Sequence, residues 1–66
     1  MKIDGAKLKA LRETRVMSLR ELAEVSGVEP IAISQMERGK RNPHPATIRK
    51  LAEALGVEPK ELLRDV

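Results

Sequence analysis

Few side chains in this sequence could do covalent or metal chemistry. The 66 residues include one histidine, His44, and no cysteine, so there is no soft ligand set for a tetrahedral metal site and no thiol nucleophile. The ten carboxylates are scattered along what read as solvent faces, and no nucleophile, base and oxyanion donor fall together in one motif. No enzyme activity, metal or cofactor is expected. Positive charge does cluster. From Arg38 to Lys50 there are five basic residues (Arg38, Lys40, Arg41, Arg49 and Lys50) and no acid, while the other fifty-three residues hold eight basic against ten acidic side chains. A locally cationic stretch in a chain of net charge +3 fits a phosphate-binding surface, and by charge alone it fits a solvated face equally well. Phe, Tyr and Trp are absent, which removes the stacking platforms used to bind single strands and splayed RNA bases. A reader of duplex DNA needs none of them.

The elements that must position these charges are short helices. At 7.3 kDa the chain has room for one domain, read as residues 1–66. With no disulfide available, helix packing or self-association must stabilise it. No apolar run approaches the roughly 18 residues of a spanning helix, and no signal segment opens the chain, so it is expected in the cytoplasm, away from membranes. Asp4 can cap a first helix whose Leu8 and Leu11 make one apolar stripe and which fades near Thr14 to Arg15. Ser18 and Glu21 have capping-box spacing at the start of a second helix, with Leu19, Leu22 and Ala23 inward and Gly27 as its stop. Pro30 suits the first turn of a third helix running through Ile33 and Met36 to Gly39. An extended loop through Pro43 and Pro45 leads to a fourth helix opening at Thr47 or just before it, with Ile48, Leu51, Ala52 and Leu55 inward and Gly56 as stop. Pro59 begins a fifth, short helix carrying Leu62 and Leu63. The expected class is all-α with five helices.

LAEVSGVEP at 22–30 and LAEALGVEP at 51–59 agree at seven of nine positions. This is the grammar of a tight helix–helix corner, and two copies fall short of a solenoid. Only the first copy meets the demands of a helix-turn-helix, whose two helices cross steeply through a short turn. Counting from Leu19, the fifth residue is the small Ala23, the ninth is Gly27, the tenth is the apolar Val28, and the fifteenth and eighteenth are Ile33 and Met36. The same ruler on the second copy places Asp65 at the last core position.

LKALR at 8–12, the Ser-x-x-Glu-Leu-Ala segment from Ser18, Gly27, ISQMERGKRNP at 33–43 and LAEALG at 51–56 together give residues 8–63 a resemblance to the lambda-repressor-like helix-turn-helix family, also called Cro-type or xenobiotic-response-element. The resemblance implies a compact five-helix domain that binds double-stranded DNA and regulates transcription, as a repressor, with helix three in the major groove. It also implies a homodimer on a palindromic operator, in a bacterial, archaeal or phage setting. Carried over by position, it implies base-edge contacts from Pro30, Ile31, Ala32, Ser34 and Gln35, and phosphate contacts from Ser18, Arg20, Arg38, Lys40, Arg41 and Asn42. It further implies that Arg12 and Glu37, each one turn beyond a core residue, pair as a structural salt bridge.

This chain departs from the family pattern where Leu19 replaces a common Gln and where Ile31 and Ala32 replace polar residues. Specificity is therefore expected to lean on thymine methyl contacts, Gln35 and DNA shape, with phosphates supplying most of the affinity. The same apolar front supports an alternative: a protein-interaction module, such as an antitoxin or accessory subunit, that presents Ile31 to a partner. His44 reads as a surface residue. Larger relatives carry a sensor domain for which this chain has no room, so no small-molecule ligand is expected. Val57, Leu62, Leu63 and Val66 are the apolar residues left after the core is assigned, and they are the expected dimer face.

Overall fold

The computed structural model describes residues 2–64. Four α-helices follow one another, α1 Gly5–Thr14, α2 Leu19–Ser26, α3 Pro30–Glu37 and α4 Pro45–Leu55, and a 3-10 turn, Pro59–Leu62, closes the chain. Their boundaries have local causes. Asp4 Oδ1 accepts from the Lys7 backbone N–H at 3.1 Å and so caps α1. At α2 the Ser18 hydroxyl accepts from Glu21 N at 3.0 Å while the Glu21 carboxylate accepts from Ser18 N at 2.8 Å, satisfying two amides that the helix itself leaves open. Prolines open both α3 and α4 at the first helical position, where the missing N–H costs nothing. Pro45 therefore belongs to α4, not to the loop, and the helix starts two residues ahead of Thr47. α3 ends at Glu37, short of Gly39.

Leu8, Leu22, Ile33, Met36, Leu51, Leu55 and Leu62 contribute the fully buried side chains, drawn from every element. The expected fifth α-helix is instead the four-residue 3-10 turn. Leu62 is pulled wholly into the core, and the chain turns extended at Leu63 to meet the amino-terminal segment. There Ile3 and Leu63 form one antiparallel bridge, flanked by Asp4 N to Leu62 O at 2.7 Å and Arg64 N to Lys2 O at 2.9 Å. This also corrects the expected dimer face: Leu62 is buried, Val57 and Leu63 are half-buried against the core, and Val66 lies outside the described residues.

Two backbone features position α3. Gly5 packs directly against the last turn of α3, where a Cβ would fall on the carbonyl oxygens of Met36 and Glu37. Between α1 and α2, Val16 has φ 53° while 87% exposed, a left-handed conformation that a β-branched residue resists. The turn it makes aims the Met17 carbonyl back at α1, where Arg12 Nη1 donates to it at 2.7 Å. No helix among the described residues is long and apolar enough to cross a membrane.

Candidate nucleic-acid interface

The corner between α2 and α3 has the residues its geometry requires. Ala23 is buried and small, Gly27 takes φ 76°, Val28 packs beneath the turn, and Ile33 and Met36 anchor the inner face of α3. The buried Ser26 hydroxyl accepts from Val28 N at 3.2 Å, bracing the turn from within. Sequence reasoning passed over Ser26, although a Ser one residue before a turn glycine is a signal for such a brace.

With its inner face fixed, α3 turns Pro30 and Ile31 outward, Ile31 at 70% exposure, with Ser34 and Gln35 half-buried one turn later. Ala32 does not belong with them. It is buried against the core, because α3 is seated on the side where Ala32 lies next to Ile33, and its methyl is not available to a base edge. Four outward base-reading candidates remain.

Ser18, Arg20, Arg38, Lys40, Arg41 and Asn42 are all exposed. Ser18 sits at the amino end of α2, and its O–H stays free to donate while its lone pair serves the helix. Past α3, Gly39 takes φ 73° and reverses the chain, so Lys40 N donates to Gln35 O at 2.8 Å and Arg41 Nη1 donates to Gln35 Oε1 at 3.4 Å. Arg38 Nε donates to Ser34 O at 3.4 Å. Asn42 Oδ1 accepts from Ile3 N at 3.4 Å, which ties the loop to the amino-terminal segment and leaves the Asn42 amide donors free. Arg41, Asn42, His44, Thr47 and Lys50 line an open cleft of about 310 Å3 beside the α2–α3 corner. The sequence reading counted Lys50 in the cationic run but did not place it at the interface; its three-residue steps from His44 and Thr47 are the signal.

Arg12 and Glu37 hold this surface from behind. Arg12 Nε meets Glu37 Oε2 at 2.7 Å and Nη2 meets Oε1 at 3.1 Å, a two-point pair whose side chains are only 11% and 7% exposed. The hydrogen bond to Glu37 is the main cause that raises the Arg12 pKa above its ordinary value, against the opposing effect of burial. Among the described residues, no group of three or more His, Cys, Asp or Glu could hold a metal.

Removing the Ser18 hydroxyl has a bounded effect. Ser18→Ala is expected to cost about 1 kcal/mol, which a thermal melt reads as a Tm lower by about 4–8 °C.

A family model described as helix-turn-helix matches residues 8–62. The chain is 51% identical over 45 residues to the HTH-type transcriptional repressor RghR of Bacillus subtilis, a match that takes in 67% of this chain and 33% of RghR. It spans only 17% of an uncharacterized HTH-type transcriptional regulator of Mycobacterium tuberculosis that is 48% identical over 44 residues. Among solved structures, the restriction-modification controller protein C.AhdI of Aeromonas hydrophila superposes with a TM-score of 0.85 at 41% identity, over 89% of each chain. The P22 c2 repressor, solved in complex with a synthetic operator, superposes with a TM-score of 0.87 at 30% identity, over 97% of each chain. The fold also occurs within a larger enzyme: hydroxyethylphosphonate dioxygenase matches at 30% identity and TM-score 0.86, but over only 14% of its chain.

Proposed function

Because this chain belongs to the helix-turn-helix family, we propose that it binds double-stranded DNA sequence-specifically and regulates transcription as a repressor, with no catalytic activity of its own. The observation that carries this reading is the exposed front of α3 at Pro30 and Ile31, with the exposed cations Arg38, Lys40 and Arg41 bonded back to Ser34 and Gln35 at its far end and the exposed Ser18 at the amino end of α2. With α3 in the major groove, Ile31 packs on thymine methyls, Ser34 and Gln35 hydrogen-bond to base edges, and the flanking residues hold phosphates. Two copies on a palindromic site complete the proposal, which puts the chain on the nucleoid in the cytoplasm.

One observation favours a second reading. Ile31, exposed at the front of α3, also suits a protein partner, as in an antitoxin or accessory subunit.

Fluorescence anisotropy with labelled duplexes across a salt series separates the two, comparing random sequence with fragments from upstream of the gene. DNA binding predicts one fragment bound about 10³-fold or more tighter than random, with affinity falling steeply as salt rises. Lys40→Ala should weaken all duplexes alike and reduce the salt slope by about 1, and the stoichiometry at saturation reads one copy or two. Weak and uniform binding to every duplex would favour the protein partner, and Ile31→Asp would then abolish that complex while Arg41→Ala leaves it intact.

A further inference from the structure

We propose that Arg41 is a positioning residue that sets which base Gln35 reads. The inference rests on the DNA-binding reading above and adds a specificity rule to it.

A glutamine amide on a recognition helix can read adenine with two bonds, its Nε2 donating to N7 and its Oε1 accepting from N6. That pairing needs the carbonyl oxygen turned to the base edge, with one of its two lone pairs on N6. Here Arg41 Nη1 stands 3.4 Å from Gln35 Oε1. A guanidinium has donors only, so the atom facing it is the oxygen, and the amide orientation follows from the chemistry of the pair. The backbone brings the two residues together. The left-handed Gly39 reverses the backbone, and the 2.8 Å bond from Lys40 N to Gln35 O holds the chain one residue before Arg41 against the same residue that Arg41 touches.

Where the cation draws the oxygen toward itself and away from the base edge, the two Nε2 hydrogens are what Gln35 has left for the groove. Guanine offers two acceptors there, N7 and O6, whereas adenine offers one acceptor beside a donor that the amide hydrogens oppose. The pair therefore favours guanine over adenine at the Gln35 position. The remaining N–H groups of Arg41 stay free for a phosphate, so one side chain links backbone anchoring to base choice.

The test is selection from randomised duplexes at about 50 mM salt, where losing one phosphate contact leaves binding measurable. The protein, Gln35→Ala, Arg41→Ala and Lys40→Ala are compared. The Gln35 position is the one whose preference disappears in Gln35→Ala. At that position the protein is expected to prefer guanine to adenine by roughly 5- to 100-fold, the range for a two-point base contact. Arg41→Ala should shrink that ratio at least about fivefold or invert it, while Lys40→Ala lowers affinity and leaves the ratio unchanged. An adenine preference in the unsubstituted protein, or an unchanged ratio in Arg41→Ala, would overturn the coupling. Absence of any discrimination by the unsubstituted protein would instead overturn the DNA-binding reading from which it starts.

Discussion

Gly5→Ala is expected to lower the Tm by about 12–24 °C, equivalent to a loss of about 3 kcal/mol, in a melt followed by circular dichroism at 222 nm. In an open helix the same change would stabilise by up to about 1 kcal/mol, because alanine is the better helix former. The sign reverses here because the new methyl has nowhere to go. It would sit on the carbonyl oxygens of Met36 and Glu37 and 2.8 Å from the Glu37 carbonyl carbon. All three are backbone atoms, so no side chain can swing aside, and α1 must slide away from the end of α3. That slide also pulls on the Arg12–Glu37 pair, since Arg12 lies about two turns along α1. A Tm equal to or above that of the unsubstituted protein would show that α1 rides freely on α3 and that the close approach constrains nothing.

Glu37→Ala is the second large effect, expected at about 3–5 kcal/mol, because it leaves the largely buried Arg12 charge without its partner. The loss should appear in thermal stability before it appears in DNA affinity, since Glu37 points inward from α3. The companion variant is Arg12→Met combined with Glu37→Leu, which removes both charges at similar volume. Replacing a buried pair by apolar groups is often neutral or stabilising, so the double variant should recover part of the loss, the remainder being the Arg12 bond to the Met17 carbonyl that it also removes. If Glu37→Ala melts with the unsubstituted protein, the pair has no structural role. The pH dependence has a definite sign: the Arg12 pKa is raised in the folded chain, so its contribution is complete below the ordinary arginine pKa and is lost only as pH rises through the elevated value. The pair therefore gives no alkaline weakening below the ordinary arginine range.

The elements legible in the sequence were those whose signals are local. The Ser18–Glu21 box, the stop at Gly27 and the Ile33 and Met36 spacing each depend on residues within a few positions of one another, and each has its expected place in the fold. What escaped depends on contacts between distant segments. Nothing near Gly5 announces that the end of α3 lies on top of it, and a one-residue bridge at Ile3 has no periodicity to detect. Ala32 was misplaced because a small apolar residue suits either face of a helix, and only the seating of α3 decides between them. Leu62 and Leu63 read alike as left-over apolar residues, yet the tight 3-10 turn sends one to the core and the other to its edge. The Gln35–Arg41 contact needed the reversal at Gly39, which the residue types allow but do not require.

The bridge between Ile3 and Leu63 also gives the domain a mechanical character. Lys2 lies opposite Arg64 at its open end, so tension applied at residues 2 and 64 acts on the Arg64 N to Lys2 O bond first and on the Asp4 N to Leu62 O bond next. The two segments peel apart one bond at a time, the low-force geometry, in place of sliding past each other with both bonds sharing the load. Once they part, the pull reaches Leu62 in the core on one side and the Asp4 cap of α1 on the other. The domain thus gives way under force from the edge where residues 2 and 64 lie opposite each other, and through Gly5 the pull on α1 passes next to the end of α3.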